Sequence, residues 1–464
     1  KSDVINARKA GLMALYVNRN GMKTNVDDNR KKAFKELEAM CHFSDKPFGR
    51  VAFLMFVFID RLYYQLKSDN RSYALFMSRE GEFFKKLFDA YQELCVPAEK
   101  QIRTHYFYVS RRATLIPSVH AVDNDAFKEI YRNYGNIRPS IFFKNLQLDN
   151  NVRIEMEFAD ILEKDKEIQH FSQSDAYQRI LGSQVFIEEC TKKALEQRDL
   201  LKEYIRSFGE KIEDEGLTLV DVGYGGTAQN NLYRMDNGRM KINGYYMISR
   251  ATDSTSDSAK KGIIFDANSN EPENIFTYNS AVIEMLCLAS HCGVDAYQKE
   301  NGSIVPIFHH KQEELDCYQK IVSVAQRNIM DVFCRLILIV KGSGWEESDY
   351  LRYFEKEYHK FIFNPTKQEM DMYLKIPFED NFAIYRTYKV EKTEKNHKLF
   401  SIKGLTTLLS SRFRALKSQN THWIAAAAYK LDIQALNYIM STFPVITMKG
   451  FNLISQRERK KKGL

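Results

Sequence analysis

Short apolar runs of strand length recur between residues 50 and 310, and segments with helical spacing separate them. The runs are YALFMS (73–78), HYFYVS (105–110), LTLVDVG (217–223), INGYYMIS (242–249) and KGIIFD (261–266). Intervening segments such as EFFKKLFDAYQEL carry apolar residues three and four positions apart, the spacing of helices that pack on a core. This alternation predicts an α/β fold with a mostly parallel, Rossmann-like sheet.

The surrounding segments divide the chain into four predicted parts. Residues 1–25 read as a helix and a strand of a separate αβ unit, and residues 26–48 are charged and helical, which suits a connector. Residues 49–310 form the predicted α/β domain, with an insertion of mixed pattern at about 121–180. Stretches such as EELDCYQKIVSVAQRNIMDVFCRLILIV then predict a helical C-terminal region over 311–464.

The length, composition and charge of the chain indicate a globular protein with more than one domain. The 464 residues exceed what one hydrophobic core normally serves, and 44% hydrophobic with 28% charged residues is typical of globular proteins. The net charge of +8 owes much to the terminal run SQRERKKKGL, and such runs are usually solvated. We therefore predict no nucleic-acid binding.

The cysteines and the longest apolar run indicate a cytoplasmic protein, with the inner face of the membrane as a further, peripheral location. Seven cysteines form no Cys-x-x-Cys pair and are odd in number, which favours reduced thiols. The run VAFLMFVFI (51–59) is far shorter than the roughly 20 residues that cross a membrane. The residues DRLYYQLK follow it, so we expect a buried amphipathic helix and no membrane span.

The stretch TLVDVGYGGTAQNNL (218–232) carries the first candidate chemistry. A strand delivers Asp221 to the carboxyl edge of the sheet, where open α/β folds bind ligands. The glycines that follow permit a tight turn, and the backbone N–H groups of that turn and of the next helix can hold a phosphate. The same pattern also suits a plain strand–turn–helix connection.

Two further loops follow apolar strands and carry arginines. In ALFMSREGEFF a strand ends at Ser78 and Arg79, and in HYFYVSRRAT another ends at Arg111 and Arg112. Arginine pairs with phosphate oxygens in a fixed fork, although a single arginine is more often a surface or salt-bridge residue. In a parallel sheet all three loops would leave the same edge, so we expect one shared anion site.

This order of loops resembles the type I phosphoribosyltransferases. The resemblance implies that the phosphates of phosphoribosyl pyrophosphate, with Mg²⁺ held weakly by Asp221, are bound by one set of residues. That set is Ser78, Arg79, Gly81, Arg111, Arg112, Gly223, Tyr224, Gly225, Gly226 and Thr227. The sequence departs from the family in having one Asp where two adjacent acids are usual, a shorter turn, and SREGE in place of a plain Arg-Gly-Gly.

A closer resemblance is to large bacterial proteins that assemble capsule or O-antigen polysaccharides. It rests on FMSREG, YFYVSRRAT, DVGYGGTAQ and AVIEML…DAYQKENGSIVPIF, and covers roughly residues 50–310. It implies a transferase that moves ribofuranose 5-phosphate from phosphoribosyl pyrophosphate to an acceptor glycan, free or lipid-linked. Other modules of the same polymerase would be its partners.

The first residues, KSDVINARKAGLMALYV, resemble the last motif of haloacid-dehalogenase (HAD) phosphatases. In that family an Asp at this place helps to hold Mg²⁺, which corresponds to Asp3. The nucleophilic Asp of the family has no counterpart in this sequence, so we expect a phosphatase module upstream that removes the 5-phosphate after transfer.

The proposed transfer also needs acids near the ribose C1, and the candidates are Asp221, Glu80, Glu82 and Glu284. Glu284 lies in the apolar stretch SAVIEMLCLAS, where an acid needs a role or a partner, and a buried pair with a core arginine is the alternative. Two other functions stay open: a glycosyltransferase that uses nucleotide sugars, and a non-catalytic scaffold module.

Three minor patterns favour structural roles. The DND at 123–125 resembles a metal-binding Asp-x-Asp but precedes a helix, so we expect capping. Cys287 and Cys292 with His291 are conceivable metal ligands, yet core positions are favoured. The pair at 309–310, both histidines, is expected to be exposed.

Overall fold

The computed structural model describes residues 45–376, apart from 134, 252, 270–273 and 279, together with the isolated positions 33, 35, 423 and 425. Two compact units divide the chain, Lys1–Phe43 and Ser44–Leu464, and almost all described residues belong to the second. The predictions for residues 1–25, including Asp3 as a metal ligand, lie outside the described residues.

A five-stranded sheet organises the described part of the chain. Its strands are β1 (Tyr73–Met77), β2 (Arg103–Phe107), β3 (Leu217–Tyr224), β4 (Ile242–Ser249) and β5 (Ser258–Asp266). They lie in the order β2-β1-β3-β4-β5, and every neighbouring pair is parallel. The predicted α/β fold with a Rossmann-like parallel sheet is confirmed.

Of the helices whose bounds are described, one precedes β1, others lie in the connections between β1 and β4, and the rest follow β5. They are α1 (Val51–Ser68), α2 (Gly81–Cys95), α3 (Arg111–Leu115), α4 (Lys128–Asn133), α5 (Pro139–Asn145), α6 (Val152–Glu157), α7 (Ala159–Leu162), α8 (Asp175–Gly182), α9 (Gln184–Ser207), α10 (Ile212–Glu215), α11 (Thr227–Met235), α12 (Ser280–Leu286), α13 (Gln312–Cys317), α14 (Ser323–Gly342), α15 (Glu347–Phe363) and α16 (Lys367–Tyr373). A π-helical turn, Tyr318–Val322, joins α13 to α14.

Both faces of the sheet are covered, which explains why β1 is buried along its whole length and β4 at seven of its eight positions, while the edge strands β2 and β5 are more exposed. Side chains from alternate positions of β1, such as Tyr73, Leu75 and Met77, pack with α9 and α11 in one core. On the opposite face α2 packs against β1 and β2, while α1 packs against β5. Helices α14 and α15 form an outer layer over α1, and α14 also contacts α2.

Helix α1 contains the longest apolar run of the chain. Residues 51–60 are buried on every side, so the helix is amphipathic only from Arg61 onward, where exposed and buried positions alternate. The one acid of the buried part, Asp60, accepts hydrogen bonds from the hydroxyls of Tyr91 (2.5 Å) and Tyr350 (3.2 Å) and pairs with Lys341. Among the described residues, no helix has the length and apolar character needed to cross a membrane.

Between β2 and β3 the described residues form helices and one isolated β-bridge, Ile137 with Ile168. Helices α4 to α8 pack with α3 and α9 around a second apolar core that includes Phe142, Phe171 and Tyr177. At the entrance to these helices the Asp123 carboxylate accepts a hydrogen bond from the backbone N–H of Ala126 (2.9 Å). This bond closes a turn that precedes α4, which begins at Lys128, so Asp123 does not cap the helix itself.

An antiparallel hairpin of β6 (Val294–Glu300) and β7 (Ser303–Phe308) follows α12 and was not among the predicted strands. Its turn consists of Asn301 and Gly302, both with positive φ (48° and 82°), as a two-residue hairpin turn requires. The hairpin packs against α9 and α3 and carries Val294 and Tyr297 into the core on that face of the sheet.

Candidate functional site

The strand order fixes where a crevice can form. From β1 the chain moves to β2 on one side, then returns across β1 to place β3 on the other, so the order reverses between β1 and β3. In open parallel sheets, ligands bind outside the carboxyl ends of the strands at such a reversal. The loops that border this point are 78–81 after β1 and 224–227 after β3, two of the three loops with predicted chemistry.

The loop after β1 is held closely against neighbouring backbone. The Ser78 hydroxyl donates to the carbonyl of Val109 (2.7 Å) and accepts from its N–H (3.0 Å), which joins this loop to the end of β2. Gly81 opens α2 so near β1 that an added Cβ would lie 2.6 Å from the carbonyl carbon of Phe76. Ser78 is therefore used in structural hydrogen bonds, and Gly81 permits close packing.

The turn after β3 needs glycine at two of its three glycine positions. Gly223 has φ +134°, and a Cβ there would lie 2.1 Å from the carbonyl oxygen of Ile248 in β4. Gly226 has φ +69° and lies against the Tyr246 hydroxyl, while Gly225 is exposed and no described atom lies within 4 Å of its Cβ position. The turn leads directly into α11, which begins at Thr227.

Three acids at this edge, Asp221, Glu80 and Glu284, lie close enough for their charges to interact. Burial raises the pKa of Asp221 to about 8, and the charges of Glu80 and Glu284 add to the increase. Burial and the charge of Glu80 likewise raise the pKa of Glu284 to about 7, although Tyr224 and Arg111 oppose the increase. A carboxyl group with a pKa near neutrality can take or give a proton under working conditions.

Tyr224 lies beside Glu284. Burial, followed by the charge of Glu284, raises the pKa of the Tyr224 phenol. The phenol oxygen is buried and, among the described residues, makes no hydrogen bond of acceptable geometry. Tyr224 nevertheless lies close enough to Glu284 to lower the pKa of that carboxyl group. This residue was predicted to bind donor phosphate, and it lies next to one of the candidate acids.

Glu82 has other partners. Its carboxylate pairs with Lys86 in the next turn of α2 (2.6 Å) and accepts hydrogen bonds from the N–H and hydroxyl of Ser290 (2.8 and 3.0 Å). Burial alone would raise the pKa of Glu82, but these bonds outweigh burial and hold it below its usual value. Glu82 therefore links α2 to the segment before β6, and it is not among the groups that shift the pKa of Asp221 or Glu284.

The three predicted arginines have different surroundings. Arg111 begins α3, and its charge acts against the increase in the pKa of both Asp221 and Glu284. Arg79 also acts on Glu284, but its guanidinium is paired with Glu314 (Nη1 to Oε2, 3.1 Å). Arg112 is buried.

The partners of Arg112 belong to the protein interior. Its guanidinium donates to the backbone carbonyl of Lys144 (2.7 Å) and pairs with Asp295 of β6 (2.9 Å). This is the salt-bridge role that a single arginine most often has. Of the three predicted arginines, Arg79 and Arg111 are thus the two whose charges lower the pKa of a candidate acid.

Lys260 in β5 was not predicted and lies beneath the glycine turn. Its side chain is fully buried, its Cε and Cδ would lie 3.0 and 3.1 Å from a Cβ on Gly226, and its ammonium pairs with Asp253 (2.5 Å). A lysine at an inward position of the strand SAKKGIIFD was the available signal, because buried lysines are rare.

The histidines differ from expectation in one case. His310 is exposed as expected, but the prediction for His309 was wrong: only 16% of its side chain is exposed, because it lies between Asp295 and Glu314. Cys287 and Cys292 are buried, and His291 contacts the Tyr106 hydroxyl (2.7 Å).

No protein-family model matches this chain, and no curated protein is significantly similar to it.

Proposed function

We propose that this chain transfers ribofuranose 5-phosphate from phosphoribosyl pyrophosphate to an acceptor glycan during synthesis of a bacterial surface polysaccharide. The main support is that the loops after β1 and β3 border the reversal of strand order. At this edge the charges of Glu80 and Glu284 are close enough to raise the pKa of Asp221. Arg79 and Arg111 act on the same acids. A donor with phosphate at both ends of a sugar suits an edge with basic and acidic groups side by side.

The glycine turn is the proposed cradle for the 5-phosphate. The first backbone N–H groups of α11 have no partner within the helix, and a helix of nine residues presents them at its N-terminus. Gly225 leaves open space on the outer side of the turn, through which an anion could reach these N–H groups. Both features favour an anion at this turn.

The acids are proposed to handle the sugar and the acceptor. The acceptor hydroxyl oxygen forms the new bond to C1 while the bond from C1 to pyrophosphate oxygen breaks, so pyrophosphate leaves with the bonding electrons. Glu284, whose pKa lies near 7, takes the proton of the acceptor hydroxyl. Asp221 is proposed to contact the ribose hydroxyls.

Mg²⁺ suits this edge as an ion held mainly by the substrate. Among the described residues, the carboxylates of Asp221, Glu80 and Glu284 do not form a group whose ligand atoms all lie within 4.8 Å of one another. The protein can therefore supply one or two oxygens, as is usual where Mg²⁺ is bound with substrate phosphates and water. Asp221 would hold it, and the ion would neutralise charge on the leaving pyrophosphate.

The remaining parts of the proposal concern context. The reaction would take place in the cytoplasm, with the growing glycan free or lipid-linked at the inner face of the membrane, and a HAD phosphatase module would later remove the 5-phosphate. These expectations rest on the resemblance of the sequence motifs alone.

A labelled-donor assay with matched variants tests the proposal. The full chain should transfer label from phosphoribosyl pyrophosphate to a glycan acceptor and not from nucleotide sugars. Glu284→Gln should lower kcat by about 10²- to 10⁴-fold, the usual contribution of a general base. The control Glu213→Gln changes an exposed acid at the opposite, amino end of β3 and should leave the rate unchanged.

Two results would contradict the proposal. Transfer from a nucleotide sugar instead of phosphoribosyl pyrophosphate would assign the site to the other class of glycosyltransferase. Unchanged polymer synthesis by Glu284→Gln and Asp221→Asn together, with the fold intact, would indicate a scaffold.

A further inference from the structure

A second group of side chains with metal-ligand chemistry lies at the open end of the β6–β7 hairpin. Cys292 precedes β6 and His309 follows β7, and the N–H of His309 donates to the carbonyl of Gly293 (3.1 Å). A Cβ on Gly293 would lie 2.7 Å from Cε1 of His309, so the glycine lets the imidazole lie directly on this backbone. Glu314, in α13, approaches the same point.

The three ligand atoms are close together and shielded from solvent. The Cys292 thiol, a His309 ring nitrogen and a Glu314 carboxylate oxygen all lie within 4.8 Å of one another, and Nε2 of His309 is 3.4 Å from Oε1 of Glu314. Ligands of one tetrahedral Zn²⁺ lie about 3.3–3.8 Å apart, from bond lengths of about 2.0–2.3 Å. Small side-chain rotations would bring these three to that separation.

Two of the three ligands, His309 and Glu314, are also oriented by charged side chains on the side away from the proposed metal. Nδ1 of His309 faces Oδ1 of Asp295 (3.4 Å), which leaves Nε2 directed towards Glu314. The far oxygen of Glu314 pairs with Arg79 (3.1 Å), and Arg112 holds Asp295 (2.9 Å). A histidine whose second nitrogen donates to a carboxylate is the usual outer arrangement of zinc sites.

The simpler account is an ion-pair network without metal, in which a protonated His309 lies between two carboxylates. Burial opposes a charge on His309, but Asp295 and Glu314 outweigh burial and hold its pKa above the usual value. In that account the Cys292 thiol, which is 3% exposed, serves only as a weak hydrogen-bond donor to the Lys311 carbonyl (3.6 Å) beside Glu314. A divalent cation with one thiolate, one imidazole and one carboxylate would be electrically neutral.

We propose that Cys292, His309 and Glu314 bind a zinc-type transition-metal ion through three protein ligands, with a fourth position open to water or another ligand. Sulfur, nitrogen and oxygen donors in this combination favour Zn²⁺ over Mg²⁺ or Ca²⁺. The site goes beyond the proposed transfer reaction and does not rest on it, because metal binding can be measured without any sugar donor.

Metal content of the purified full chain tests the site. After incubation with Zn²⁺ and removal of unbound ion, mass spectrometry of metals should find about one equivalent per chain. His309→Ala should lose this equivalent. His310→Ala, a change of the exposed neighbouring histidine, should retain it, and circular dichroism checks that both variants are folded.

A cobalt titration gives an independent reading in case His309→Ala does not fold. Bound Co²⁺ should show thiolate charge-transfer absorption in the near ultraviolet, which Cys292→Ser should abolish and Cys334→Ser, in α14, should keep. The proposal is overturned if the unaltered chain binds no stoichiometric Zn²⁺, or if folded His309→Ala or Cys292→Ser binds metal as the unaltered chain does. Either result would leave the ion-pair network as the role of these residues.

Discussion

Asp221 is the fifth of the eight residues of β3, and burial together with the charges of Glu80 and Glu284 raises the pKa of its carboxyl group to about 8. The Asp221 carboxylate accepts a local hydrogen bond from the backbone N–H of Val222 (2.8 Å). Most structural carboxylates have their pKa lowered by partners, as Glu82 does. An acid kept in an unfavourable environment reduces stability, and such positions concentrate at functional sites.

Replacing Asp221 with Asn should therefore stabilise the protein at high pH. The folded state keeps a proton on Asp221 that the unfolded state loses, so the free energy of unfolding falls as pH rises from about 4 to about 8. The full shift corresponds to about 5–6 kcal/mol, and partial exposure of the side chain reduces it. We expect Asp221→Asn to gain about 2–3 kcal/mol at pH 8 and almost nothing at pH 4.

Denaturant unfolding at the two pH values measures this difference. Asp257→Asn is the matched control, because it makes the same change at an exposed aspartate. A loss of stability in Asp221→Asn at pH 8 would mean that the carboxylate has a structural partner.

Arg111 and Arg112 show why the sequence could not assign each residue of the site. Both follow the same strand, and both carry the charge that suits a phosphate. Consecutive helix residues point about 100° apart, so only one of the pair can face the crevice. The choice depends on contacts from distant segments, the carbonyl of Lys144 and the carboxylate of Asp295, which no local pattern contains.

At the scale of elements, replacing each of the three glycines at the carboxyl end of β3 with alanine should lower stability by a different amount. Gly223→Ala should cost about 3 kcal/mol or more, because its Cβ would meet the backbone of β4 and the φ of +134° is strained for alanine. Gly226→Ala should cost about 1–2 kcal/mol for a left-handed conformation. Gly225→Ala should change stability by less than about 0.5 kcal/mol.

Thermal unfolding ranks these three variants, with Gly182→Ala in α8 as a neutral control from open space elsewhere. If phosphate approaches the open side of the turn, Gly225→Ala should also raise the KM for the donor while leaving Tm unchanged. Equal losses of stability in all three variants would contradict the geometry of the turn.

Strong local patterns made the elements of the sheet predictable. All five strands were found because each contains a short apolar run, although β2 begins at Arg103 and β5 at Ser258, earlier than their apolar residues indicated. The hairpin β6–β7 could have been predicted from its turn residues, Asn301 and Gly302. The helices α4 to α8 could not, because helices of four to eight residues are too short to display a period.

At the scale of the whole molecule, strand order decides what the loops can do together. The sequence supplied parallel strands and hence a common edge, but the same strands in another order would separate the loops after β1 and β3. Their adjacency depends on β3 pairing with β1, through Leu75 with Leu219 and Phe76 with Val220. Contacts between residues so far apart in the chain leave no periodic signal in either segment.

The outer layer gives the last prediction, because it tests whether residues 311–464 are a separable domain. Helices α14 and α15 pack on α1, whose residues 51–60 are all buried. The ring of Phe56 contacts three rings of this layer, those of Phe333, Tyr350 and Phe354. A chain ending at residue 310 would expose this surface and leave Asp60 without Lys341 and the Tyr350 hydroxyl. Such a chain should aggregate or lose fixed packing, because a large exposed apolar surface and an unpaired buried acid are both costly.

A chain ending at residue 376 is the informative comparison. It keeps α14 to α16 and loses, among the described residues, Trp423, which is fully buried against Phe361 and Tyr373 and donates to the carbonyl of Ile362 (2.9 Å). Trp423→Ala in the full chain should cost about 3–5 kcal/mol, as removal of a buried tryptophan does. The chain ending at residue 376 should lose at least that much and still fold, with near-ultraviolet circular dichroism and a cooperative melt. If the chain ending at residue 310 gave the same signals, the outer helices would be a separate domain and α1 would find its cover elsewhere.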